Sequence, residues 1–123
     1  RTKSILSLLD IQDQRLHVIE PLSYLEFNYM VKNAKAVITD SGGITEEASI
    51  MNIPCLTLRD NTERPETITL GTNELIGTNP ENLKTYLDKL FDGQWKQTQS
   101  IPFWDGKTAE RIVKEITSNL ITN

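Results

Sequence analysis

Val37-Ile38-Thr39-Asp40-Ser41-Gly42-Gly43-Ile44-Thr45-Glu46-Glu47-Ala48 decides how this chain is read. A short apolar run ends at a polar turn of Asp, Ser and two glycines. A helical segment follows, with two carboxylates in its first turns. The pattern is that of a buried strand that reaches the edge of a sheet, turns tightly and feeds a helix. Unpaired N–H groups and the positive end of the dipole converge at such a helix start and make it an anion site. The glycines let a phosphate approach the backbone with no Cβ in the way. Ser41, Gly42 and Gly43 are therefore candidate donors to a phosphate-bearing small molecule. Glu47, one turn on from Gly43, stands where a carboxylate can take a sugar hydroxyl. The plain alternative is a strand-to-helix turn with a serine cap and two acids that favour the dipole. The run is neither a P-loop nor a full G-x-G-x-x-G, so by itself it is weak.

On the N-terminal side, Leu16-His17-Val18-Ile19 is a short β candidate ended by Glu20-Pro21. Ser23 and Glu26 form an S-x-x-E capping box, with Leu22 and Phe27 at the two positions of a hydrophobic staple. The helix so marked runs to about Lys32, with Leu25, Tyr29 and Met30 available for packing. Ala36 to Thr39 is the strand before the glycines. On the C-terminal side, the helix ends near Met51, where Asn52 tolerates a left-handed exit and Pro54 prevents continuation. Cys55 to Leu58 is a further strand, residues 59–67 are a polar loop with a short helix from about Pro65, and Asn73 to Ile76 is a last short strand. Asn79-Pro80-Glu81 opens a helix with Leu83, Tyr86, Leu87, Leu90 and Phe91 at helical spacing, stopped by Asp92-Gly93. A final helix from about Lys107 carries the apolar face Ala109, Ile112, Val113, Ile116 and Leu120. Ser4 to Leu9 also reads as a helix, and the chain starts at Arg1 without Met, as a piece whose upstream part is absent would.

Strands alternating with helices imply βαβ units, hence an α/β, Rossmann-like parallel sheet flanked by helices. Length bounds this to one domain: 123 residues supply one core and not comfortably two. Ligands of such sheets bind beyond the carboxyl ends of the strands. Thr39-Asp40-Ser41 and Leu58-Arg59-Asp60 are both ends of that kind, so two polar loops should meet on one rim.

The formal net charge of −4 makes a nucleic-acid surface an unattractive reading, since that needs a basic excess. No apolar run spans a bilayer and no signal pattern opens the chain. The lone Cys55, in an apolar stretch, reads as a small buried thiol, and a reducing cytoplasmic location fits. No Cys/His cluster has metal-ligand spacing. His17, the only histidine, reads as structural within its strand. Arg64 offers a planar donor fork suited to phosphate, or is a surface arginine paired with Glu63 or Glu66. Phe27 reads as a staple or core residue, although its ring could border a base pocket.

Asp40 to Ala48, Leu58-Arg59-Asp60-Asn61-Thr62-Glu63-Arg64-Pro65-Glu66 and Gly71-Thr72-Asn73 resemble the non-hydrolysing UDP-N-acetylglucosamine 2-epimerases. Pro21 to Leu25 and Trp104 to Ile112 also resemble that family, so the likeness covers nearly the whole chain in order. The resemblance implies a glycosyltransferase-B type fold, with residues 1–123 as most of its C-terminal, nucleotide-binding domain. It implies interconversion of UDP-GlcNAc and UDP-ManNAc, by elimination of UDP to a glycal and re-addition on the other face. It places the proton-transfer carboxylates in an N-terminal domain missing here, and a His-Pro pair just before Arg1. No catalytic residue, metal or cofactor is then expected within 1–123. Carried over residue by residue, Ser41 with the backbone of Gly42 and Gly43 binds the diphosphate and Glu47 holds the ribose hydroxyls. Phe27 sits at the uracil, and Arg64 lies on the rim near the sugar phosphate.

The expected partners are UDP-GlcNAc and UDP-ManNAc, the missing domain of the same chain, and a second copy in a homodimeric parent; neither nucleic acid nor membrane is expected. Three readings compete with this one. A hydrolysing epimerase releases free ManNAc, and Thr62 to Glu66 is expected to mark the non-hydrolysing kind. A glycosyltransferase of the same fold keeps the diphosphate site and the ribose carboxylate. A bare nucleotide-sugar-binding module has no chemistry of its own.

Overall fold

A computed structural model describes residue 11 and residues 13–121. Three strands, β1 (Val37–Thr39), β2 (Cys55–Thr57) and β3 (Asn73–Leu75), form a parallel sheet in that order. Val37 lies opposite Cys55 and Thr39 opposite Thr57; Cys55 in turn faces Asn73 and Thr57 faces Leu75. The central strand β2 is buried along its whole length, as a strand covered on both faces must be. This register brings the carboxyl ends of the strands side by side. Just past them the Leu58 N–H donates to the Thr39 carbonyl at 2.8 Å.

Among the described residues five helices surround or follow the sheet: α1 (Tyr24–Lys32), α2 (Gly42–Ile50), α3 (Pro65–Thr69), α4 (Pro80–Phe91) and α5 (Thr108–Ile121). Their ends follow the local chemistry. At α1 the Ser23 N–H and hydroxyl both donate to the Glu26 carboxylate, at 3.0 and 2.6 Å. At α4 the Asn79 side chain accepts from the Glu81 N–H at 3.0 Å, with Pro80 in the first position. Asn52 leaves α2 at φ 56°, the left-handed exit its side chain tolerates.

The core begins where α1 meets α2 above β2. Val31, Ala48 and Cys55 are buried together, with Phe27, Val37, Met51 and Ile53 packed around them. Leu56, Ile76, Leu90 and Ile101 are also buried. A second, polar layer lies between β2, β3 and α3. The Thr57 hydroxyl donates to Asn73 Oδ1 at 2.6 Å, Asn73 Nδ2 donates to Thr67 Oγ1 at 3.1 Å, and the Thr67 hydroxyl donates to the Arg64 carbonyl at 2.7 Å. All three side chains are buried, so this is a satisfied polar network of the kind that low dielectric strengthens. After α4 the chain returns as a strap across α2 and α3. Trp95 Nε1 donates to the Thr72 carbonyl, the Thr98 hydroxyl to the Ser49 carbonyl, and the Gln99 N–H to the Leu70 carbonyl, at 2.8, 2.6 and 2.7 Å.

Some expectations are corrected. Leu16 to Ile19 is not a strand, and Leu16, Val18 and Ile19 are about half exposed. A strand exists only through its partner, and among the described residues nothing pairs with this stretch. His17 is accordingly an exposed loop residue rather than a residue inside a strand. The apolar stripe of α5 forms, but Ile112, Val113, Ile116 and Leu120 are all more than half exposed, because nothing among the described residues covers them. Leu25, Tyr29 and Met30 of α1 are exposed for the same reason. Gly42 and Gly43 are not a turn before the helix but its first two residues. The helix expected over Ser4 to Leu9 lies outside the described residues. Among the described residues no helix is long and apolar enough to cross a membrane.

Candidate functional site

The N-terminus of α2 stands at the carboxyl end of β1, on the rim the parallel register creates. Ser41 is its cap residue in extended backbone, and its N–H is taken by the Thr39 hydroxyl at 3.0 Å. The next N–H groups, those of Gly42, Gly43 and Ile44, have no helical acceptor, because the first turn of any helix leaves them free. The Ser41 side chain makes no cap bond. A serine that merely ended the helix would spend its hydroxyl on one of those N–H groups; here the hydroxyl stays available beside them.

The two glycines have no internal reason to be glycine. Neither has a positive φ. A Cβ built on either meets no atom of the described residues within 4 Å. Gly71 is the contrast: its Cβ would run into the Ser49 side chain and come within 2.6 Å of the Thr67 carbonyl, so close packing of α2 on α3 demands glycine there. At Gly42 and Gly43 what the missing side chains leave is bare backbone facing open space.

Glu46 and Glu47 lie in the second turn of α2, beyond the first turn where a helix dipole acts. That removes the plain dipole explanation for both. Their side chains then part company. Glu46 accepts from Arg64 Nε at 2.9 Å. The partly buried Glu47 carboxylate has no hydrogen bond or ion pair among the described residues, and its position four residues after Gly43 puts it on the same helix face.

Arg64 comes from the loop after β2. Its Nη1 donates to the Glu63 carbonyl at 3.2 Å, and its own N–H to the Thr62 hydroxyl at 3.0 Å. Its partner is thus Glu46, eighteen residues away, and not the neighbouring acids Glu63 or Glu66. The sequence reading missed Glu46 in this role. The only local signal was its place four residues from Gly42. Phe27 is half-buried on the Val31, Ala48 and Cys55 cluster, which makes it a core residue at the α1–α2 contact. The fold therefore gathers Ser41, Gly42, Gly43 and Glu47 on one helix, ties Arg64 to that helix through Glu46, and sets Phe27 behind it.

Other chemistry nearby is quiet. Burial pushes the Cys55 thiol up to about 11, with the Thr57 hydrogen bond a smaller opposing effect. Such a thiol is inert at neutral pH. A cavity of about 380 Å³ opens past β2 and β3, bordered by Arg59, Asp60, Ile76, Gly77, Asn82 and Tyr86. Among the described residues no group of three or more His, Cys, Asp or Glu is arranged to hold a metal.

A family model described as UDP-N-acetylglucosamine 2-epimerase matches residues 1–117. The UDP-N-acetylglucosamine 2-epimerase of Methanocaldococcus jannaschii is 44% identical, over 95% of this chain and 33% of its own. A crystal structure of the M. jannaschii UDP-GlcNAc 2-epimerase in complex with UDP-GlcNAc and UDP is 43% identical, with a TM-score of 0.75 over 96% of this chain and 33% of that one. The S. aureus MnaA–UDP co-structure is 36% identical, with a TM-score of 0.80 over 97% of this chain and 33% of that one. The chain thus spans about a third of the length of the relatives it matches. The α/β reading holds, in the glycosyltransferase-B setting that the resemblance implied. With the motifs, the helix-start geometry and these likenesses in agreement, the chain belongs to the UDP-N-acetylglucosamine 2-epimerase family.

Proposed function

We propose that this chain is the UDP-binding part of a UDP-N-acetylglucosamine 2-epimerase of the non-hydrolysing kind, which interconverts UDP-GlcNAc and UDP-ManNAc. Residues 1–123 are most of its C-terminal domain, truncated on the N-terminal side. The observation that carries the reading is the start of α2, where two helical glycines face open space beside an uncommitted serine hydroxyl. The diphosphate of UDP fits there: three free N–H groups and the Ser41 hydroxyl converge on it, and the dipole favours its charge. Glu47, on the same face and without a partner among the described residues, takes the ribose hydroxyls. Phe27 serves the uracil, a role that rests on the family likeness, and Arg64 lies toward the sugar-side phosphate.

The reaction proceeds by loss of UDP to a glycal and its return to the opposite face. The work of this chain is to hold the nucleotide while it is a leaving group and to keep it close for re-addition. Spreading the developing diphosphate charge over preorganised donors lowers that barrier. Proton transfer at C2 falls to carboxylates of the other domain, so 1–123 by itself turns nothing over. The parent is a cytoplasmic homodimer in this reading.

The test is Gly43→Val, which the open space before residue 43 accommodates. It should leave the fold intact and weaken UDP at least about tenfold by calorimetry, the scale of one lost hydrogen bond to a charged group. Unchanged affinity in the folded variant puts the nucleotide elsewhere. Proton exchange at C2 of UDP-GlcNAc in heavy water, above background with 1–123 alone, refutes the placing of the chemistry outside this chain.

A further inference from the structure

Arg64 is held on several sides before any ligand arrives. Nε–H is taken by Glu46 and one Nη1–H by the Glu63 carbonyl, while its main-chain N–H and carbonyl are fixed by Thr62 and Thr67. A guanidinium has five N–H donors in a rigid fork. Two are engaged, which leaves three for something outside the described residues. Glu46 stands one helical turn beyond Gly42, so the carboxylate that grips the arginine grows from the same helix whose N-terminus is the anion site. Helix α2, which follows β1, and the loop that follows β2 are joined by this ion pair.

We infer that Glu46 is a positioning residue that acts through Arg64: it fixes the guanidinium by the Nε edge and presents the remaining donors to the sugar-side phosphate of the nucleotide. The inference rests on the reading that Arg64 faces the nucleotide. Both side chains are more than a third exposed, and a pair of that kind adds little to stability. Its value is orientation. A free arginine must be ordered when a phosphate binds, a cost of roughly a factor of two to ten in affinity for a rotamer-rich side chain. A held arginine has met that cost beforehand.

Two measurements on the chain test this. The first is the NMR resonance of Arg64 Nε–H without ligand. It should be slow to exchange in the wild type, intermediate in Glu46→Gln and lost to exchange in Glu46→Ala, with thermal midpoints within a few degrees of one another. Equal protection in wild type and Glu46→Ala overturns the inference. The second is a double-mutant cycle in UDP affinity. Glu46→Ala should weaken UDP about two- to tenfold, Arg64→Ala about tenfold or more, and the double variant no more than Arg64→Ala alone. If Glu46→Ala has wild-type affinity, or its loss persists undiminished when Arg64 is already alanine, Glu46 does not act through Arg64. If Arg64→Ala leaves affinity unchanged, the underlying placement of Arg64 fails instead, and the resonance still reports whether Glu46 holds it.

Discussion

Asn73→Ala should cost this chain a large part of its stability. Asn73 is fully buried, accepts from the Thr57 hydroxyl at 2.6 Å and donates to Thr67 Oγ1 at 3.1 Å. The alanine removes both bonds. Their consequences differ. The Thr67 hydroxyl still donates to the Arg64 carbonyl at 2.7 Å, so it stays satisfied. The Thr57 hydroxyl, 2% exposed, loses its amide acceptor and is left with only the Cys55 sulfur, a weak acceptor. A buried orphan of this kind costs about 1–3 kcal/mol, and the remaining lost bond about 1 kcal/mol more, so a loss of roughly 2–4 kcal/mol is expected. Domains are stable by about 5–15 kcal/mol in all. Urea denaturation followed by circular dichroism measures the change as a lower midpoint at constant slope. Thr57→Val provides the internal control. In the wild type it strands Asn73 Oδ1 and should destabilise, whereas in the Asn73→Ala background it removes the orphaned donor and should be close to neutral. A coupling of about 1–2 kcal/mol between the two sites is the expected result. Additive losses, or an Asn73→Ala midpoint within error of wild type, refute the reasoning that the network is what holds β2, β3 and the foot of the Arg64 loop together.

Glu47→Gln should weaken UDP by about tenfold or more, because the ribose hydroxyls lose a charged acceptor; wild-type affinity for a diphosphate analogue without ribose equal to that for UDP removes the assignment. Cys55 should resist thiol reagents in the native chain and react in step with unfolding, since it is fully buried and its thiol is held near 11. Its titration also sets a direction with pH. The native group ionises later than the unfolded one, whose value is 9.0, so its stabilising contribution is complete below about pH 9 and is lost as pH rises through about 11. Cys55→Ala should flatten that alkaline decline in denaturation midpoints.

Most elements could be read because their signals are local. The Ser23–Glu26 box, the Asn79-Pro80 start and the left-handed Asn52 each need only a few neighbouring residues, and each is found where the pattern put it. The glycine start and Glu47 were legible for a related reason, as one helix carries them all. What failed depended on something far away. Leu16 to Ile19 has strand composition without a partner strand, and α5 has an apolar stripe without a surface to cover. The Glu46–Arg64 pair spans two crossovers of the chain, and no spacing rule connects residues 46 and 64. Phe27 shows the opposite limit. Its core packing was expected from the staple position, while any part in base recognition comes from kinship alone.

Strand β1 bonds to β2 on one side only among the described residues, and Ile38 is 47% exposed beside that free edge. An unpaired edge is a template for another chain, and what restrains growth there is brevity and charge. The strand is three residues long, and Lys35 and Asp40 bracket it as gatekeepers. The modest net charge of −4 supplies the remaining repulsion at neutral pH. Acidification erodes the second of these restraints, by bringing the whole chain toward zero charge. Shelf life in concentrated solution should therefore be governed by acid-side pH and by those two flanking residues, with sheet-to-sheet accretion as the route of loss.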